Sequence, residues 1–265
     1  RTFDRDSTFD TSGFTRDTWE LAGGAQYAVK DNYRLGFAFA ASTSKSNGAD
    51  GSTSDGKQVE GGVVLKYVPG PLTLAASASG SYGWYDSERF VAFGDFYNDL
   101  TSKPEAGSLN GRLRAAYDFG NDKVYVRPQI EGNATYLYQS AFTETGGVAA
   151  MSVDSVSRTV FSAAPSIEVG GQVVTTGGTM IRPYVRGGVT VFSNDSYDLT
   201  ARFATVTPDA GDFTITSSSD RLLWNTSAGV DVLFENGNTI RAFYDGNFGQ
   251  TSTENAFGLK ASHNF

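Results

Sequence analysis

The chain has 265 residues, 39% of them hydrophobic, with a net charge of −8, one histidine and no cysteine. No apolar run approaches the roughly 18 residues of a membrane helix. Disulfide staples and thiolate metal sites are excluded, and the acidic balance repels nucleic-acid phosphates. A mean hydropathy of −0.28 reads as water-soluble, yet a transmembrane barrel has a similar average because its lipid-facing and lumen-facing residues alternate. Aromatic residues reach 13%, which suits the interfacial girdles of a barrel and equally an ordinary β-sandwich.

In chain order, a first strand is expected within residues 1–14, because single-chain bacterial barrels have even strand numbers. Period-two alternation then recurs to the end, with almost nothing at helical spacing. Trp19, Leu21, Gly23, Ala25, Tyr27 and Val29 share one face, and Tyr33, Leu35, Phe37, Phe39 and Ala41 the next. Similar faces run from Val59 to Tyr67, Leu72 to Trp84, Leu109 to Phe119, Val124 to Tyr136, Phe161 to Val173, Ile181 to Val191, Trp224 to Phe234, Ile240 to Phe248 and Phe257 to Phe265. The glycine pairs on these strands fit wall curvature or close strand approach.

Two kinds of connection alternate strictly. Residues 30–32, 69–71, 120–122, 175–178 and 235–238 are short and rich in turn formers. Residues 46–56, 86–106, 141–157 and 195–220 are long, polar and read as irregular. Within them, 197–204 and 212–216 either extend hairpins above the membrane or stay as loop. Short turns on one rim and long loops on the other are the signature of an outer-membrane barrel, turns periplasmic and loops outside. A sandwich has no reason to sort its loops this way. The sequence therefore predicts an all-β fold: one closed antiparallel transmembrane barrel of about twelve strands, without linker or second domain.

Twelve tilted strands enclose a lumen wider than an eight-stranded barrel's and narrower than a porin's, so one helix of about 10–12 Å diameter would nearly fill it. Ala22, Gly24, Gly36, Ala38, Ala40, Ala75, Ser77, Ser79 and Ser81 face inward and leave part of the wall smooth. Elsewhere the pore-lining positions are charged: Arg34, Glu60, Lys66, Arg112, Arg114, Arg127, Glu131, Glu168, Arg182, Arg186, Asp231, Arg241, Asp245 and Lys260, with Asp118 beside them. These groups either pair across the wall and stiffen it, or form a charged track opposite the smooth side for a helix or passing chain.

The stretch Tyr244-Asp245-Gly246-Asn247-Phe248-Gly249, a short loop, Phe257-Gly258-Leu259-Lys260 and Phe265 resembles the last two strands of autotransporter β-domains. Length, strand count and turn-loop alternation resemble that family across nearly the whole chain. The resemblance implies an outer-membrane translocator of type V secretion over residues 1–265, monomeric, with its passenger and a lumen-threading helix encoded upstream. It implies outer-membrane lipid, lipopolysaccharide and the barrel-assembly machinery as partners, and Phe257, Leu259 and Phe265 as the assembly signal. His263 and Ala261 stand where larger apolar or aromatic residues are frequent.

Nothing points to catalysis, metal or cofactor. Nucleophilic hydrolysis normally needs a histidine base, and His263, the sole histidine, falls on the outer face of the terminal strand. Asp4, Asp6, Asp10 and Asp17, like Asp50 and Asp55, lack the ordered spacing of a calcium loop. The alternative to a translocator is a stand-alone channel or surface adhesin, with Arg112, Arg114, Arg127, Arg182 and Arg186 favouring anions. The reading frame upstream of Arg1 separates the two.

Overall fold

The computed structural model describes residues 1–8, 12–121, 123–206 and 211–263. Asp10, Asp122 and Phe265, on which expectations fall, lie outside the described residues. Twelve antiparallel strands build the wall: β1 (Thr2–Arg5), β2 (Phe14–Lys30), β3 (Tyr33–Gly48), β4 (Thr53–Tyr67), β5 (Leu72–Phe93), β6 (Glu105–Tyr117), β7 (Val124–Gln139), β8 (Val156–Gly171), β9 (Met180–Phe192), β10 (Leu222–Leu233), β11 (Asn238–Phe248) and β12 (Ser252–His263). Each pairs with its neighbours in sequence, and β1 pairs with both β2 and β12, closing the barrel.

The inversion of burial identifies the solvent. Trp19, Leu113 and Leu259 are 82%, 67% and 79% exposed, while Gln129 and Glu168 are 6% exposed. A water-soluble core would reverse this order. A continuous exposed apolar belt with polar groups inside is what lipid around a closed barrel requires. Rings mark its rims: Tyr33 stacks on Tyr67 at 4.6 Å beside the short turns, and Tyr82 meets Trp84 edge-on at 5.2 Å toward the loops. No helix of the described residues is long and apolar enough to cross a membrane; the strands cross.

Local chemistry sets the turns. Gly70, between Pro69 and Pro71, adopts φ 66°, and Gly237 adopts φ 83°, conformations that cost a side chain steric strain. Pro165 marks an interruption: the β8–β9 ladder runs from Ala163 paired with Val191 to Ser166 paired with Gly188, skipping two residues. A proline has no N–H to give there.

The long connections are more regular than the loops expected, and of the two alternatives for 197–204 and 212–216 the hairpin is the one present. β3 and β4 continue to Gly48 and from Thr53, and β5 rises to Phe93 and returns as the strand Phe96–Ser102. Above the membrane both faces meet water, so polar alternates with polar and the periodic signal vanishes although pairing continues. The strands Phe142–Thr143, Met151–Val153, Ser196–Phe203 and Phe213–Ser218 form a second, four-stranded sheet. Ala150, Val153 and Ala201 are buried in this part of the chain, as is Leu100. Arg89 of β5 fixes it to the wall through two hydrogen bonds to Glu144, 3.0 and 2.6 Å.

β1 pairs residues 2–5 with 14–17 and 252–255, and Arg1 pairs with Thr18.

Candidate functional site

The lumen has two sectors. Along β2–β5 many inward positions are small, and Gly24, Ala38, Gly62 and Ser79 stand opposite one another in one row. A Cβ on Gly24 would lie 2.9 Å from Ala38 Cα, and one on Gly62 2.9 Å from Ser79 Cβ, so these strands approach as only glycine allows. Gly36 and Ser77 continue the smooth surface on either side of Val64. Glu60 stands between Ala40 and Ser81.

From β6 to β11 the inward face is a mesh of ion pairs. Arg112 donates to Glu131, whose other oxygen is 3.5 Å from Arg114 Nε. Arg114 also donates to Gln129, which donates to Ser166 Oγ at 2.9 Å. Arg127 bridges Asp118, Nη2 to Oδ2 at 2.9 Å, and Glu168, Nη1 to Oε1 at 2.8 Å. The Tyr125 hydroxyl donates to the same Glu168 oxygen at 2.8 Å, and the Arg127 guanidinium lies 4.6 Å from the Tyr125 ring centre. Arg186 donates to Ser227 Oγ at 2.7 Å and reaches Asp245 at 3.5 Å, while Ser227 donates to Asp245. Arg241 forks onto Asp231, 2.5 Å for each bond, and Arg182 donates to Gln172 at 3.0 Å. Arg34, Lys66 and Lys260 make no ion pair among the described residues.

Reading charges alone misses the neutral members of this mesh. Tyr125, Gln129, Ser166 and Ser227 complete it, and the visible signal was their place on the face opposite Val124, Val126 and Ile130. A tyrosine on a polar strand face needs a partner for its hydroxyl.

At the loop end, a cavity of about 320 Å³ is lined by the wall residues Ser46, Ser54, Ser87 and Arg89 and by Phe142 and Glu144 of the loops. Loop residues thus stand against the outer ends of β3–β5. Asp50 lines the cavity too. Burial alone would push its carboxyl up, but the Ser52 hydroxyl at 2.6 Å and amide at 3.0 Å outweigh burial and hold it below its ordinary value.

On the outside, Phe257 and Leu259 of β12 are 78% and 79% exposed, and Phe257 lies 5.0 Å from Tyr244. His263 Nδ1 is 2.8 Å from Asn238 Oδ1, a contact at the short-turn rim away from the lumen charges. Among the described residues no cluster of His, Cys, Asp and Glu has the arrangement of a metal site, so Asp4, Asp6, Asp17, Asp50 and Asp55 do not come together as one.

A closed twelve-stranded wall with a lipid-compatible exterior and a polar, half-smooth interior defines an outer-membrane β-barrel with a narrow lumen. The autotransporter β-domain family matches residues 1–245, and the chain belongs to it. Among solved structures, it is similar to the translocator domain of the autotransporter NalP from Neisseria meningitidis, 14% identical over all of this chain and 85% of that one, with a TM-score of 0.77. It is also similar to the β-domain of the Bordetella autotransporter BrkA, 15% identical over 100% and 96%, TM-score 0.61. A third likeness is the transport unit of AIDA-I from Escherichia coli, 11% identical over 100% and 88%, TM-score 0.60. At these identities the likeness shows the fold. A comparison with curated proteins finds no match. Family and fold together make the chain an outer-membrane translocator domain of type V secretion, a class of transport pores whose members are linked to a passenger.

Proposed function

We propose that the lumen is the route by which a polypeptide joined upstream of Arg1 reaches the cell surface. The observation that supports this is the lopsided lumen: a row of Gly24, Ala38, Gly62 and Ser79 opposite a sector whose charges are already engaged with one another. A smooth, hydroxyl-rich side gives a chain room, and paired charges hydrate the lumen without gripping it. Transport needs no covalent step, and we assign the domain no catalytic role; its one histidine sits at the short-turn rim against Asn238. The barrel acts as a monomer in lipid and lipopolysaccharide. Exposed Phe257 and Leu259, with Phe265, form the strand signal read by the barrel-assembly machinery. The domain extends over residues 1–265 as one unit, and Arg34, Glu60, Lys66, Arg112, Arg114, Arg127, Glu131, Glu168, Arg182, Arg186, Asp231, Arg241, Asp245 and Lys260 line its pore.

The test fills the smooth sector. In the full-length protein, Ser77→Trp with Ser79→Trp should leave the heat-modifiable folded barrel at its normal level. Passenger on intact cells, measured by protease shaving, should fall at least about tenfold. Normal display from an assembled, filled barrel would contradict the route.

A further inference from the structure

Above the membrane, β5 outruns its neighbour. Thr53, the first residue of β4, pairs with Glu88, and past that point the β4 side of residues 89–93 has no strand among the described residues, while the other side keeps its ladder with Phe96–Ser102. Phe93 and Phe96 flank the two-residue turn Gly94-Asp95 as its bonded pair, so alternation along the antiparallel ladder turns the peptide N–H and C=O groups of Ala92 and Phe90 to the open side. Among the described residues no backbone bond reaches them from there. Natural proteins blunt open edges with charge, proline or a bulge. Phe90-Val91-Ala92-Phe93 has none of these, and its ladder is regular.

The two faces of this hairpin differ. On the inner face Arg89 pairs with Glu144, Asn98 Oδ1 accepts the Ala149 amide at 3.1 Å and Leu100 is buried, so a loop packs there and holds the hairpin in place. The outer face continues that of Trp84 and carries Glu88, Phe90, Ala92, Tyr97 and Asp99. Phe93 at the tip and Tyr97 are 86% and 60% exposed, and the Phe90 and Tyr97 rings lie 6.4 Å apart within 28° of parallel. Trp84 marks the lipid rim, and Phe93 lies about 30 Å further along the strand, so lipid does not cover these rings. An aromatic cluster left in water marks a contact surface.

The free charges around the edge have one sign. Arg89 is taken by Glu144 and Lys103 by Asp86, whereas Glu88 and Asp95 at the two ends of the edge, and Asp99 opposite Phe90, make no ion pair among the described residues. Open peptide groups take an extended chain, exposed rings take cations on their faces, and the carboxylates repel an acidic partner. The outer face points away from the lumen, so a polypeptide leaving the pore emerges on the side that the loop already covers. We propose that residues 89–93 are a docking strand for a basic, extended segment of a separate protein, which pairs with the open edge and sets lysine or arginine side chains against Phe90, Tyr97, Glu88 and Asp99. This surface is independent of the transport route.

The test uses full-length protein purified from outer membranes and follows a fluorescein-labelled heptapeptide of alternating lysine and threonine by fluorescence anisotropy. Wild type should bind it saturably, and Glu88→Gln with Asp99→Asn should weaken binding at least about tenfold. Ala92→Pro removes the open-edge donor without touching the ladder to Phe96–Ser102 and should weaken it as much. The same heptapeptide N-methylated at every residue applies that test to the wild-type barrel, and heat-modifiable migration verifies that each variant is folded. No saturable binding by wild type, equal binding of the matching glutamate and threonine heptapeptide, or undiminished affinity in the carboxylate variant or for the N-methylated peptide would overturn the docking strand. Binding that appears only after protease has shaved the passenger from the protein would show the chain's own upstream segment on the edge and overturn the separate partner.

Discussion

The side chains that hold the lumen together are those whose removal leaves a charge stranded. Glu168 is 6% exposed and takes bonds from both Arg127 and Tyr125. Arg127→Ala should therefore cost about 3 kcal/mol, because it leaves a buried carboxylate without its cation. Arg127→Ala with Glu168→Gln should cost less than Arg127→Ala alone, measured by urea unfolding in lipid vesicles. A double variant weaker than the single would argue against an ionised Glu168 as the reason. Asp220 plays a different part at the outer rim, where it accepts bonds from the Gln250 and Thr251 amides and the Thr251 hydroxyl, each at 3.1 Å, and from the Ser252 hydroxyl at 2.5 Å. Burial opposes its ionisation, but these donors prevail and hold its carboxyl below the ordinary 3.8. Its contribution is thus complete above that ordinary value and is lost as pH falls through the depressed one. Amide exchange at Thr251 should accelerate roughly tenfold in Asp220→Asn at neutral pH, and wild type should approach the variant only in acid. Equal exchange in the two proteins at neutral pH would show that Asp220 does not tie these connections.

Single strands explain what could be seen in the sequence and what could not. Every wall strand with one face in lipid was legible, because Phe37 and Phe39 against Ala38 and Ala40 is a pattern water and lipid impose jointly. The second sheet was legible in part: 197–204 and 212–216 read as hairpin extension or loop and are strands, whereas Phe142–Thr143 and Met151–Val153 gave no signal, because outside the membrane neither face is selected for grease. Alternation alone assigns the carboxylates and arginines of the mesh to the strand faces opposite the exposed apolar belt. It does not assign their partners, since whether Arg182 finds Asp231 or Gln172 depends on rotamers that cross-strand register does not fix. The terminal hairpin carried the resemblance, whereas the family match spans residues 1–245 and so takes in most of β11 but not β12.

The molecule as a whole is a hydrophobic surface turned inside out: a belt that includes Leu21, Phe39, Leu113, Ile130 and Leu259 outside, and a mesh of arginines and carboxylates inside. The central claim, that this wall separates lipid from a hydrated lumen, has a direct test because the chain has no cysteine. Single cysteines at each position from 33 to 42, in full-length protein in lipid vesicles, would be treated with a water-soluble maleimide and, separately, with a lipid-confined thiol reagent. Cysteine at positions 34, 36, 38 and 40 should react with the first, and at 35, 37, 39 and 41 with the second, in strict alternation. Reaction of the odd positions with the water-soluble reagent, or of neither set with either reagent, would contradict the barrel and everything built on it.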